Sequence, residues 1–299
     1  MFGVLNLNKP SDWTSRDVVN RVSRLAGRRV KCGHAGTLDP LATGVLVVCL
    51  GPATRLMPLI HQHHKTYRGR FLLGVRSNTD DIEGELEYLD GKPVPNRKEI
   101  EAILPEFTGT IEQIPPVYSA IKVNGERAYK AARRGEDVEI PARTVTIEKL
   151  ELTDLDEKSF ELTLECGTGT YVRSLGRDIA QRLGTEAAMS SLERTSVGPF
   201  HVDQAIDVEH LNREVFESAV IPPLTALPHL PRLVVDQQTL QRLVFGQKIR
   251  VTDLEIEESL LQGISESDPI AVVDEEQQLA GIAEIREELL RPKMMFSAN

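Results

Sequence analysis

The stretch Gly33-His34-Ala35-Gly36-Thr37-Leu38-Asp39-Pro40-Leu41-Ala42-Thr43-Gly44 runs straight into Val45-Leu46-Val47-Val48-Cys49-Leu50. Glycine tolerates positive φ and the close approach of another backbone, and a residue before proline is held extended. The first part therefore reads as a shaped loop. The apolar run after it is β-branched and bounded by Gly44 and Gly51, which reads as a buried strand. Asp39 is thus a carboxylate anchored where a loop feeds a core strand.

Asp39 has competing readings. Asp-Pro is a common turn pair, and most such aspartates only bond their own backbone. A phosphate-cradling loop would need a lysine after its second glycine, and none follows Gly36 or Gly44. A glycosidase pair would need a second acid nearby, but Asp39 is the only one between Asp17 and Asp80. The same isolation argues against a metal. What remains is one aspartate acting as nucleophile or base, or turn chemistry alone.

Charge is segregated around this loop. Residues 1–76 carry 12 Lys and Arg against 3 Asp, whereas residues 77–299 carry 23 against 42, and the whole chain is −10. A second basic group, Lys122, Arg127, Lys130, Arg133 and Arg134, faces only Glu126 up to residue 134. Segregation on this scale reads as an electrostatic footprint for RNA within an acidic protein. The length, 299 residues, suggests about two domains. Composition is that of a soluble globular chain, with no secretory leader at the start and no apolar run near the roughly 18 residues of a membrane span. Three cysteines, Cys32, Cys49 and Cys166, without a Cys-x-x-Cys pair suit a reducing cytoplasm and offer no zinc site.

Along the chain, Val4–Leu7 reads as a strand, and Thr14-Ser15-Arg16-Asp17 as a capping box before a helix that Gly27 stops. Pro52 can begin a short helix that Pro58 limits. His61-Gln62-His63-His64 has no acid or cysteine close by, so a solvated or RNA-facing histidine group is expected rather than a metal site. From Tyr67 to Val75 the pattern is a strand with Arg68 and Arg70 on one basic face. Asn96-x-x-Glu99 caps a helix to about Phe107. Residues 117–142 look like an excursion, with a tight turn at Asn124-Gly125. Thr144–Leu152 and Ser159–Cys166 alternate as strands, and Tyr171–Leu183 forms a helix. Four prolines between Pro222 and Pro231 mark a linker to a small β-rich region, whose composition is acidic.

The twelve-residue loop and the Val45-Leu46 after it resemble the catalytic-loop signature of the TruB family of pseudouridine synthases, bacterial enzymes acting on the uridine at position 55 in the T arm of tRNA. Further matches follow in the family's order: Asn8-Lys9-Pro10, Lys65-Thr66-Tyr67, Pro116-Val117-Tyr118-Ser119-Ala120, Gly169 through Leu175, and Leu192-Glu193-Arg194-Thr195. They span residues 6 to about 200. The resemblance implies an α+β pseudouridine synthase fold, with a mixed central sheet flanked by helices and loops over residues 1–230. It also implies an RNA-binding thumb at 117–142 and a PUA-like C-terminal domain at 231–299.

For the site, the resemblance makes Asp39 the catalytic carboxylate and Arg173 its partner, a guanidinium fork that would orient it. Because the target uridine is stacked inside folded tRNA, it must be flipped into a pocket. Tyr67 matches the tyrosine that packs on the flipped base and Leu192 an apolar wall. His34 matches the residue that stacks into the vacated space, while Lys9 and Tyr171 match positions that support the loop. The thumb cations Lys122, Arg127, Lys130 and Arg133 are expected on RNA. No cofactor, metal, membrane or obligatory protein partner is expected, and the expected state is a monomer. An RNA-binding protein without catalysis stays open as an alternative, as does a relative working with guide RNA and partner proteins.

Overall fold

A computed structural model describes all residues except 119–121, 124–125, 129–133, 135–138, 255–263 and 297–299. In chain order the strands of the first 210 residues are β1 (Gly3–Lys9), β2 (Cys32–His34), β3 (Thr43–Leu50), β4 (Lys65–Leu73), the short pair β5 (Val75–Ser77) and β6 (Leu86–Tyr88), β7 (Gly109–Gln113), the hairpin β8 (Lys122–Val123) and β9 (Glu126–Arg127), β10 (Arg143–Leu155), β11 (Ser159–Cys166), β12 (Ala187–Val197), β13 (Phe200–His201) and β14 (Ile206–Asp207). Ten of them form one sheet in the order β14-β1-β3-β12-β4-β11-β10-β7, with β2 beside β3 and β13 beside β12. Pairing is parallel for β1 with β14 and for β3 with β12, and antiparallel elsewhere, so the sheet is mixed.

Local chemistry explains the helices. In α1 (Ser15–Ala26), Thr14 and Asp17 close a capping box, and Gly27 ends the helix at φ 87°. Asn96 and Glu99 do the same for α3 (Arg97–Ile103), which tightens into a 3-10 turn over Leu104–Phe107. Between them lies α2 (Met57–His61), where Pro58 stands in the first turn. Proline thus opens this helix instead of limiting the 3-10 turn over Gly51–Leu56, because its missing N–H is no loss there. The fourth helix, α4 (Val172–Arg182), starts one residue after Tyr171.

The strand β3 is fully buried from Val45 to Leu50, with apolar clusters on both faces of the sheet. Gly44, at φ 97°, is paired to Arg194 in β12, and a Cβ there would lie 2.2 Å from the Arg194 carbonyl oxygen. Only glycine lets the end of the Asp39 loop pass this close to β12.

A similar contact fixes α4 on the sheet. A Cβ on Gly176 would lie 2.0 Å from Phe71, which is fully buried and stacked on Phe160 at 5.0 Å. Helix propensity alone would make Gly176→Ala stabilising by about 1 kcal/mol. Overpacking against a ring that cannot move costs about 1–3 kcal/mol, and the clash wins. Gly176→Ala is expected to lower the urea midpoint of unfolding, and a raised midpoint would show that α4 sits off the sheet.

Beyond α5 (Arg213–Ser218), residues Leu224, Ala226, Leu227 and Leu230 are buried. The proline-rich stretch is therefore a packed strap, not a loose linker: its prolines set bends while its apolar side chains fill the interface. It leads to a separate five-stranded sheet, β15 (Arg232–Val234), β16 (Ile249–Arg250), β17 (Ile270–Val273), β18 (Leu279–Arg286) and β19 (Leu289–Met295), with α6 (Gln237–Val244) beside it. Ala271, Val273, Ile282 and Phe296 of this region join Val4, Val47 and Leu56 in one apolar cluster. Phe2 and Phe296 meet at 4.7 Å, and the Arg55 guanidinium lies over the Phe296 ring. No helix among the described residues is long and apolar enough to cross a membrane.

Candidate active site

The Asp39 loop is pinned from three sides. Ser15, in the first turn of α1, bonds both the N–H and the carbonyl of Leu38. Lys9, at the end of β1 and fully buried, donates to the carbonyls of Pro10, Trp13 and Pro40, so all three of its N–H groups are used. Burial lowers its pKa to about 8, opposed by the Asp39 charge. Arg194 of β12, also fully buried, donates to the carbonyls of Val45, Thr37 and Gly36. These cations buttress the loop from behind, where they satisfy carbonyls that a tight loop cannot pair internally.

Asp39 itself is held from the front. Its Oδ2 is 3.2 Å from Arg173 Nε, with the Asp39 side chain 37% exposed and that of Arg173 only 8%. Arg173 stands in the first turn of α4, and its other nitrogens are occupied: Nη1 by the Thr79 carbonyl at 2.8 Å and Asp81 Oδ2 at 3.1 Å, Nη2 by the Tyr118 carbonyl. Asp81 is buried and also accepts from the Thr79 hydroxyl and the Glu83 N–H. Next to it, Asp80 pairs with Arg177 at 2.6 Å. Burial raises the Asp80 pKa, against the pull of Arg177 and Arg173. One guanidinium thus bridges a buried carboxylate and a partly exposed one, which fixes the direction in which Asp39 points.

The exposed edge of Asp39 opens into a cleft of about 430 Å³, walled by Tyr67, Tyr118, Tyr171, Val172, Leu192 and Arg173, with His61, Lys65, Arg143 and Arg194 also lining it. Tyr171 is positioned by Gln113 of β7, whose side-chain amide accepts from the Tyr171 N–H and donates to its carbonyl. Burial pushes the Tyr67 phenol up, and the Arg194 charge works against that. An aromatic-walled cleft with one carboxylate and several cations along its lining suits a planar ring of nucleobase size. A larger groove of about 780 Å³, along residues 101–109 and 150–153, lacks any such convergence of polar groups.

Asp39, Tyr67, Arg173, Tyr171 and Leu192 are brought together, with Lys9 behind the loop. His34 lies on β2 beside the site rather than lining the cleft; its Nδ1 is buried without a partner among the described residues, and burial lowers its pKa. Lys122 and Arg127 are opposite each other in the β8–β9 hairpin. The turn at 124–125 and residues Lys130 and Arg133 lie outside the described residues. The four-residue histidine stretch does not act as a group. His61 lines the cleft, the His63 ring bonds the Ala226 carbonyl and meets His229 edge-on, and His64 lies 3.7 Å from Glu165. The basic face expected on β4 is neutralised, since Arg68 pairs with Glu193 of β12 and Arg70 with Asp154 of β10, Glu161 of β11 and Asp156 in the turn between those two strands.

Asp81 and Gln113 are not singled out in the sequence, whereas His61 and Lys65 stand in stretches that are, with no role in the cleft attached to either. Asp81 carried a faint signal in the dense polar run Ser77-Asn78-Thr79-Asp80-Asp81, but nothing local says that its carboxylate is buried.

The family described as TruB family pseudouridylate synthase (N terminal domain) matches residues 23–172, and tRNA pseudouridylate synthase B C-terminal domain matches residues 173–227. The chain is 38% identical over 317 residues to the "tRNA pseudouridine synthase B" of Prochlorococcus marinus (strain MIT 9313), covering 100% of this chain and 98% of that one. It is 40% identical over 309 residues to the protein of that name from Synechocystis sp., covering 99% and 100%. Among solved structures it resembles "Structure of H/ACA RNP bound to a substrate RNA containing 2'-deoxyuridine", with a TM-score of 0.75 at 24% identity over 99% of this chain and 86% of that one. A "Cbf5-Nop10-Gar1 Complex" gives 0.74 at 25% identity, covering 99% and 84%. These likenesses carry the fold.

Proposed function

The chain belongs to the TruB family of pseudouridylate synthases, and on that premise we propose that Asp39 carries the isomerisation of uridine 55 in the T loop of tRNA. The activity is that of a tRNA pseudouridine synthase, an isomerase. The observation that supports the assignment to Asp39 is its partly exposed carboxylate, held by Arg173 at the lip of the aromatic cleft.

The target base is extruded from the RNA stack and enters the cleft, where Tyr67 packs on its face and Leu192 on its edge. The bond from ribose C1′ to uracil N1 breaks, with Asp39 acting on the ribose as nucleophile or base. The ring turns, C5 bonds to C1′, and the proton on C5 leaves while N1 takes one up. Product and substrate have the same composition, so the balance calls for no oxidant, reductant or hydrolytic water.

Phosphate binding falls to the N-terminal third. Arg16, Arg24, Arg28, Arg29 and Lys31 are exposed and have no carboxylate partner among the described residues, in contrast to the neutralised Arg68 and Arg70. The segment around 117–142 serves as a thumb on the RNA, and the sheet after residue 231 as a PUA-like domain. The enzyme works in the cytoplasm as a monomer without an obligatory protein partner.

Carbodiimide adduct mapping of a tRNA transcript after treatment is expected to show a single reverse-transcription stop, at position 55. A transcript with cytidine at that position is expected to show none. Stops at other uridines would contradict the assignment of position 55.

A further inference from the structure

Resting on the reading above, we propose that Lys65 is a catalytic residue, which donates a hydrogen bond to a carbonyl oxygen of the flipped uracil and offsets the negative charge that the ring acquires when its bond to ribose breaks.

Three buried cations without a carboxylate partner surround the Asp39 loop among the described residues, and their hydrogen bonds separate them. Lys9 spends all three N–H groups on three carbonyls and does not line the cleft. Arg194 has each of its three nitrogens bonded, to the carbonyls of Val45, Thr37 and Gly36, and its guanidinium also bonds the Tyr67 phenol. Lys65, 4% exposed, opens β4 and lines the cleft, yet among the described residues its ammonium makes one hydrogen bond, to the His61 carbonyl. An ammonium has three donors, so two are left over on a charge that has already lost most of its water. A buried cation without an anion is costly to a fold, and its persistence here at a cleft wall points to an anion that arrives with the substrate.

The chemistry supplies that anion. Whether Asp39 attacks C1′ or removes a ribose proton, the electrons of the C1′–N1 bond go onto the uracil and spread over N1, O2 and O4. The ring must stay bound in that state while it turns and C5 attacks C1′. Lys65 gives a hydrogen bond and keeps its proton throughout, so the proton balance is unchanged. Arg194 on β12 adds positive charge behind it; the other titratable groups around Lys65 are His61 on α2, His63 just after it, Tyr67 on β4 and Cys166 on β11, none of them a carboxylate and the Cys166 thiol pushed up to about 11 by burial, while Asp39, which lines the same cleft, is paired with Arg173.

Burial, aided by the Arg194 charge, lowers the Lys65 pKa to about 8. The active form is protonated, so single-turnover rates should fall as pH rises through about 8. Lys65→Arg keeps its charge at all working pH and should hold its rate there.

The test compares wild type, Lys65→Met and Lys65→Arg in single turnover on tRNA containing uridine or 5-fluorouridine at position 55, with consumption of the starting nucleoside read by chromatography. The fluorinated ring has no C5 proton to lose, so after C5 bonds to C1′ it takes up water at C6 and is scored as loss of 5-fluorouridine, not as a pseudouridine. Fluorine stabilises the departing anion by itself, so a residue serving that anion matters less when it is present. Lys65→Met is expected to lose about 100-fold on uridine, in line with the removal of one donor to a developing charge. On 5-fluorouridine it should lose about tenfold less, with tRNA affinity changed by less than about threefold and part of the rate restored in Lys65→Arg. Equal losses on both bases, a loss confined to tRNA affinity, or no loss would overturn the proposal. If Lys65→Met does not fold, the pH profiles of wild type and Lys65→Arg decide: a fall near pH 8 shared by both, or absent from wild type, overturns it. A wild-type enzyme that converts neither base would instead fail the function itself.

Discussion

Asp39→Asn is expected to abolish turnover while leaving the fold and tRNA binding in place. The exchange is isosteric and removes the group asked to act on the ribose, so a loss of at least about 10⁴-fold is expected, as for nucleophile removal elsewhere. Stability should change by less than about 1 kcal/mol, because the Asp39 side chain is 37% exposed and Arg173 keeps Asp81 as its partner. The sign of the binding effect also discriminates: removing a negative charge close to RNA phosphates should leave tRNA affinity unchanged or slightly tighter. Filter binding beside single-turnover conversion checks both. A variant that keeps a tenth of the activity would take Asp39 out of the chemistry, and one that binds tRNA far more weakly would make it a binding residue.

Arg173→Met is expected to damage both activity and stability, for separable reasons. The substitution leaves Asp81, whose side chain is only 3% exposed, with a hydroxyl and an N–H but no cation. Breaking a buried pair from one side costs about 3–5 kcal/mol. Asp39 loses its orientation as well, and misplacement of a reacting group by about 1 Å costs about 100-fold. Adding Asp81→Asn removes the stranded charge, so the double variant should regain most of the lost stability, read as the urea midpoint, and none of the lost rate. Recovery of both together would mean that Arg173 serves the fold alone.

Much of this architecture is legible in short stretches of sequence, because caps and buried strands are local. The Thr14-Asp17 and Asn96-Glu99 boxes, the apolar run Val45–Leu50 and the alternation Ser159–Cys166 all appear where the sequence places them. What escapes is set by contacts between distant segments. Arg68 and Arg70 look like a free basic face until β10, β11 and β12 bring acids across to them. The pairing of Asp39 with Arg173 follows from family resemblance, whereas the share of Arg173 held by Asp81 depends on how the loop after β5 folds over the first turn of α4. The proline-rich stretch from Pro222 reads as a tether because prolines are visible locally and the partners of Leu224, Ala226 and Leu227 are not. His61 and His63 are two residues apart in sequence, yet one lines the cleft and the other packs against the strap.

The central claim is that this chain isomerises a tRNA uridine using its own side chains. Its most direct test is release of tritium from a tRNA transcript labelled at uracil C5, in the presence of a strong chelator, with free uracil and pseudouridine both quantified. One tritium is expected to be released per pseudouridine formed, with no free uracil and the same rate with and without chelator. Tritium release that stops with chelator, or that leaves uracil behind in place of pseudouridine, would contradict it.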